Sequence, residues 1–162
     1  MRPEVLERIR AMKRATQIAR AGTWRAADAA DRVVLDADER YRRRIVLAAE
    51  GGTRFLLDLA QVTALRDGDG LVLDDGTIVV VVARPEPLVE IAPDDPAALA
   101  RLAWYLGNRH TELQIVGNRL RIRRDHVLED MLIGLGAQLT MIEAPFEPER
   151  GAYEHGHDGF HV

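Results

Sequence analysis

Short apolar runs separated by turn residues fill the chain from residue 32 to residue 83. Asp-Gly pairs punctuate these runs, and Glu50-Gly51-Gly52 supplies residues that readily adopt the positive φ of a tight hairpin. The 3.6-residue apolar period of an amphipathic helix does not occur in this stretch. The pattern therefore predicts a compact all-β domain, which we place at residues 1–84. Within it, the first 30 residues are rich in alanine and arginine and indicate a short helix.

Beyond Pro85 and Pro87 the pattern changes. Because proline donates no backbone hydrogen bond and pushes its predecessor into extended backbone, residues 84–87 are predicted to be a linker. The chain after it alternates strands and helices in the order β-α-β-β-α-β, which is the ferredoxin-like arrangement. We therefore expect an α+β protein whose ferredoxin-like domain spans residues 88–148, followed by a flexible tail at residues 149–162.

Local signals define the elements of this second domain. A helix opens at Pro96 and ends at Gly107, two strands flank the turn Gly117-Asn118, and Asp125 caps a second helix. AQLTMIEA, residues 137–144, forms the last strand. The residues expected to face the core are Leu99, Leu102, Ala103 and Leu106 on the first helix and Val127, Leu128, Met131, Leu132 and Leu135 on the second.

The composition of the chain excludes several kinds of chemistry. The 162 residues carry a net charge of −4 and no cysteine, which excludes disulfides, thiolate catalysis and sulfur-ligated metals. Motifs of zinc proteases, serine hydrolases and P-loop proteins are absent, so we expect no catalytic activity. The apolar runs are shorter than the ~18 residues that span a membrane, and the N-terminus has no apolar signal segment. We therefore expect a cytoplasmic protein without a membrane partner.

All five histidines lie in the second half of the chain, and three of them are in its last eight residues, HGHDGFHV. His155 and His157 are two residues apart, so an extended backbone places both imidazoles on one side, within reach of one ion. With His161 they form a histidine-rich tract, a composition that binds Zn, Cu, Ni or Co. A solvated tail without function is the alternative.

The other two histidines allow two interpretations each. His110 follows the first helix and is expected at an exposed position, where alone it is more simply a surface histidine bonded to a nearby carbonyl. His126 begins the second helix, where the dipole disfavours a charged ring and leaves a neutral imidazole that can bind metal. An ordinary histidine at a helix start fits His126 equally well.

Two basic clusters, YRRRI at 41–45 and RLRIRR at 119–124, raise RNA binding as an alternative function. RNA-binding modules with the ferredoxin-like order stack bases on aromatic residues of their central strands. The strands here carry no such aromatic residues, and the arginines are more simply a solvated face. A nucleic-acid partner is therefore not expected.

Several longer motifs resemble a known family. LGNRH (106–110), DHVLEDML (125–132) and EAPFEPERGAYEHGH (143–157) are similar to segments of the UreE family of urease accessory proteins, which are nickel metallochaperones. Similarity continues in the first half through YRRRIVL (41–47) and LRDGDGLVLDDG (65–76), so it spans roughly residues 30–157.

The resemblance implies a function and a set of ligands. It implies a homodimeric chaperone that delivers Ni(II) to the urease apoprotein together with the accessory GTPase complex, its first domain contacting partner proteins. His110 falls on the central nickel ligand of the family, and His126 on a peripheral metal position. A companion histidine two residues before that position is Arg124 here, which leaves one imidazole beside a guanidinium, a poor site for a cation. The same imidazoles also suit Zn(II) and Cu(II).

Overall fold

The computed structural model describes residues 1–151 and has an α+β fold. The chain divides into two compact units, with the boundary between Ala83 and Arg84. No helix in the described part of the chain is both long enough and apolar enough to cross a membrane.

The first unit is built on a six-stranded sheet with the order β2-β6-β5-β1-β4-β3. Its core consists of aliphatic residues and Phe55 on the inward face of these strands. The elements are α1 (Pro3–Ala11), β1 (Lys13–Ala19), a 3-10 turn (Ala26–Asp28), β2 (Asp31–Leu35), β3 (Tyr41–Ala48), β4 (Arg54–Ala64), β5 (Gly70–Leu73) and β6 (Ile78–Ala83).

The hairpin predicted at Glu50-Gly51-Gly52 is confirmed. It joins the antiparallel strands β3 and β4, and Gly52 has a φ of 98°. The helix expected within the first 30 residues is also present as α1, so the unit is not purely β. Strand β1 was missed, although it lies inside the sheet between β4 and β5.

The second unit has a four-stranded antiparallel sheet with the order β10-β7-β9-β8. Its element order, β-α-β-β-α-β, is the one that the sequence predicted. The elements are β7 (Pro85–Ala92), α2 (Pro96–Asn108), β8 (Gln114–Val116), β9 (Arg119–Arg123), α3 (His126–Gly134) and β10 (Gln138–Pro145).

Both helices pack against the sheet through the expected stripes. Leu102 and Leu106 of α2 and Leu132 of α3 are buried against Val89 and Ile91 of β7 and against β9. Asp95 and Asp125 cap the two helices by accepting hydrogen bonds from backbone N–H groups of the first turn. Because both caps and the core stripes are local sequence signals, the helices were predicted within a few residues.

Two predictions for this unit were wrong. The expected linker at 84–87 is the beginning of β7, with Pro85 opposite Pro145 of β10. Prolines are tolerated there because β7 pairs with β9 only from Leu88 onward, so its first three residues have a neighbouring strand on one side only. Val127 in the first turn of α3 and Leu135 at its C-cap were expected to face the core but are 57% and 50% exposed, because the buried residues of the helix, Glu129 and Leu132, lie between its two ends.

Candidate metal site

His110 lies at the end of α2 in a left-handed backbone conformation, with a φ of 56°. Its N–H donates to the Gly107 carbonyl at 3.0 Å, and the Thr111 N–H donates to the Leu106 carbonyl at 3.0 Å. These two bonds form a Schellman motif, in which the residue with positive φ is usually glycine. The prediction that Gly107 ends the helix was therefore wrong: Gly107 lies in the last helical turn, and His110 occupies the glycine position.

Helix α3 ends in the same motif with the usual residue. Gly136 has a φ of 83°, its N–H donates to the Ile133 carbonyl at 2.9 Å, and the Ala137 N–H donates to the Leu132 carbonyl at 3.1 Å. Among the described residues, His110 is the one non-glycine residue with positive φ. A side chain there costs on the order of 1 kcal/mol compared with glycine. Such an outlier makes His110 a candidate functional residue.

The His110 side chain is exposed, as predicted. Two aromatic residues of the same helix, Trp104 and Tyr105, are also exposed, at 64% and 41%, with their rings edge to face at 5.4 Å. An exposed aromatic pair is unusual on a monomer surface and is typical of an interface.

The chain after β10 stays bound to the segment that follows His110. The Glu147 N–H donates to Gln114 Oε1 at 3.1 Å, and the Glu149 N–H donates to the Leu113 carbonyl at 2.7 Å. Glu149 and Arg150 therefore belong to the second unit, and the prediction of a flexible tail from residue 149 is wrong for these two residues.

Further contacts hold the same stretch. Glu149 Oε1 accepts a hydrogen bond from the Ile115 N–H at 3.2 Å, and the Arg150 guanidinium lies 3.8 Å from the Glu112 carboxylate. Phe146 is fully buried, and the Arg123 guanidinium lies 4.9 Å from the centre of its ring. The predicted ligands of the tail, His155, His157 and His161, lie outside the described residues.

His126 is the first residue of α3 and is exposed. It lines an open cleft of about 800 Å³ together with Arg109 and Thr111, the neighbours of His110 on either side. The structure thus brings the two predicted ligand positions to one region, although no three His, Asp or Glu side chains within residues 1–151 form a group that could hold a metal.

The Arg124 side chain, two residues before His126, forms an ion pair with Glu129. Its Nε lies 3.2 Å from Glu129 Oε1, and Glu129, which is buried, also accepts a hydrogen bond from the Asp125 N–H at 2.8 Å. A guanidinium held next to His126 disfavours a second cation there.

The arginines of β9 are paired with glutamates. Arg119 and Arg121 contact the two oxygens of Glu90 at 2.6 and 3.0 Å, and Arg123 contacts Glu86 at 3.4 Å. The hydrogen bond from Arg119 is the largest cause that lowers the pKa of Glu90, and the bond from Arg121 adds to it. Because carboxylates already neutralise this basic cluster and β7 and β9 carry no aromatic residue, the RNA-binding alternative has no support.

Comparison with known proteins covers both units. The family model described as the UreE urease accessory protein N-terminal domain matches residues 5–84, and the model of the C-terminal domain matches residues 86–162. The urease accessory protein UreE of Rhodopseudomonas palustris (strain HaA2) is 55% identical over 91% of this chain and 68% of its own length. The protein of the same name from Bradyrhizobium sp. (strain BTAi1) is 55% identical over 91% of this chain and 73% of its own. This chain therefore belongs to the UreE family of urease accessory proteins.

Proposed function

We propose that this protein binds Ni(II) through His110 and its C-terminal histidines and carries the ion to urease during assembly of the urease metal centre. The observation that carries the proposal is the left-handed backbone conformation of His110. The chain has a histidine at a position where glycine would have a lower conformational energy. Family membership supports the role in urease assembly, and nickel as the cargo rests on the resemblance described above.

One His110 supplies one nitrogen, whereas a divalent ion needs about four donors. In a homodimer with two-fold symmetry the same position occurs twice, and both His110 rings can share one ion. The exposed Trp104 and Tyr105 provide apolar surface for such an interface on the helix that carries His110. We propose that the second unit is a ferredoxin-like domain that forms this dimer.

The tail histidines His155 and His157 complete the ligand set in this proposal, and His161 adds capacity. Imidazole binds metal only in its neutral form and has an ordinary pKa of about 6.5, so the ion is released as the pH falls below neutral. A site of imidazoles without thiolates suits a carrier that must give up its ion. Zn(II) and Cu(II) bind the same donors, and Cu(II) is expected to bind more tightly than Ni(II).

His126 has at most a secondary role, because Arg124 lies beside it. The partners in this proposal are a second copy of the chain, the urease apoprotein and the accessory GTPase complex, all in the cytoplasm. The protein has no catalytic activity of its own.

Nickel transfer tests the function directly. The nickel-loaded protein is mixed with apo-urease and its accessory proteins in the presence of a chelator that removes free nickel, and urease activity is followed. We expect activation by the wild type and little activation by His110→Gly. Equal activation by both, or none by either, would contradict the proposed role of His110.

A further inference from the structure

The segment that follows β10, residues 146–150, lies alongside residues 112–115 in one defined direction. Glu147 contacts Gln114, and Arg150, three residues later, contacts Glu112. The contacted residue therefore lies closer to His110 as the chain advances. The two segments therefore run antiparallel. Residues 146–150 and 112–115, which we name the clasp, bring the start of the tail beside the residues that follow His110.

Backbone and side-chain bonds both define this geometry. Glu149 is central to it, since its N–H donates to Leu113 at 2.7 Å and its carboxylate accepts from Ile115 at 3.2 Å. Strand β8 is the edge of its sheet, so the clasp also satisfies a backbone N–H that would otherwise face solvent. Gln114 adds the third bond by accepting from the Glu147 N–H.

We propose that Glu149 and Gln114 are positioning residues, which raise the local concentration of the tail histidines at His110 without touching the metal themselves. This inference rests on the proposed function. With the clasp closed, four residues separate Arg150 from His155, and with its contacts removed, eight residues separate the buried Phe146 from His155. Since effective concentration falls with about the −3/2 power of tether length, opening the clasp lowers it about threefold.

A disulfide test measures this effect without any metal. The chain has no cysteine, so Thr111→Cys together with Ala152→Cys gives one defined pair whose rate of intramolecular disulfide formation reports the local concentration of the tail. Adding Gln114→Ala, Glu149→Pro and Arg150→Ala removes the three clasp hydrogen bonds and the Arg150–Glu112 ion pair. We expect disulfide formation to slow at least about threefold.

Matched variants separate positioning from a general loss of structure. Glu149→Gln keeps both the N–H and an acceptor oxygen and should retain the original rate. Glu143→Ala, which changes an exposed glutamate of β10 outside the clasp, should also leave the rate unchanged. The single changes Gln114→Ala and Glu149→Ala each remove one acceptor and should give intermediate rates, so the proposal is tested even where the combined variant does not fold.

Nickel affinity then tests the consequence. The clasp variants should weaken Ni(II) binding about threefold in the full chain and leave it unchanged in a chain that ends at Gly151. An unaltered disulfide rate, or an equal loss of nickel affinity in both chain lengths, would overturn the positioning role. If His110→Gly leaves nickel binding intact, the proposed function fails, while the disulfide rates still decide whether the clasp positions the tail.

Discussion

At the scale of single residues, His110 shows what sequence could and could not predict. Its exposed place after the helix followed from the pattern of α2, but its positive φ did not. Gly107 offered an obvious glycine for the helix end, whereas the burial of Leu106 and the bond from the Thr111 N–H to the Leu106 carbonyl place the positive-φ residue three positions further, at His110. The conformation of His110 depends on these contacts, so the local sequence does not predict it.

Replacing His110 by glycine separates ligand loss from fold damage. Glycine removes the imidazole and relieves the left-handed strain, so we expect the free energy of unfolding to stay equal or to rise by up to about 1 kcal/mol. Denaturant unfolding of the metal-free protein checks this value. The control is Gly136→Ala at the matching position of α3, which should lose about 1 kcal/mol or more. A clear loss of stability in His110→Gly would show that the side chain is retained for packing.

His126 provides the second prediction at this scale. Because the Arg124–Glu129 ion pair holds a positive charge beside it, His126→Ala should weaken Ni(II) binding much less than His110→Gly does. Competition with a coloured chelator measures both affinities. Arg124→His in the same assay should add a weaker nickel site at His126. An equal or larger loss in His126→Ala would show that the peripheral position is the main site.

At the scale of elements, the predicted helices and hairpins were confirmed where a local sequence signal defines them. The predictions failed where strand pairing determines whether a segment is a strand. Turn glycines predicted the hairpins, and capping residues together with apolar stripes predicted both helices of the second unit. Strand β1 was missed because its fully buried Ala15 is small and a register shift between Ala15 and Gln17 interrupts the alternation. The prolines of β7 looked like a linker because only the pairing with β10 shows that the strand extends through them.

Asp31 shows how one side chain joins two elements, and it gives a pH prediction. Its carboxylate accepts from the backbone N–H groups of Gly51 and Thr53, in the β3–β4 turn, at 2.8 and 3.2 Å. A Cβ on Gly51 would lie 2.8 Å from that carboxylate, so a larger residue there would displace the Asp31 side chain. The side-chain bond from Thr53, followed by the backbone bonds, lowers the pKa of Asp31 from 3.8 to about 2.

Since the folded pKa of Asp31 is lower than the unfolded one, its stabilising effect is present above about pH 4 and is lost as the pH falls toward 2. We expect Asp31→Asn to be less stable than the wild type at neutral pH and to show a smaller loss of stability between pH 4 and 2. Urea unfolding across this range measures the effect. Asp28→Asn, at an exposed position, should reproduce the wild-type profile. Identical profiles for Asp31→Asn and the wild type would show that these hydrogen bonds contribute nothing.

At the scale of the whole molecule, the proposed metal site combines a part in the described second unit and a part outside the described residues. His110 and the clasp belong to the folded second unit, whereas His155, His157 and His161 follow it. Sequence alone gave the histidines and, through the resemblance, the family, but not the clasp, because the hydrogen bonds of Glu149 depend on how the segments meet in three dimensions.

Two truncations test this division. A chain that ends at Gly151 should unfold at the same temperature as the full chain and should bind Ni(II) more weakly, because only tail ligands are lost. A chain that ends at Pro145 should also lose stability, by about 3 kcal/mol, since it lacks the buried Phe146 as well as the clasp bonds. Circular dichroism melts measure both. Equal melting temperatures for the two truncated chains would contradict a structural role for residues 146–150.

The most direct test of the central claim is a calorimetric titration of Ni(II) into the wild type and His110→Gly, with the oligomeric state of each fixed by analytical ultracentrifugation. We predict that the tightest class of sites in the wild type holds one ion per two chains. In His110→Gly we expect this class to be absent while the proposed dimer persists, because the proposed interface rests on apolar packing and not on the metal. One tight ion on each separate chain, unaffected by His110→Gly, would contradict a site shared through His110.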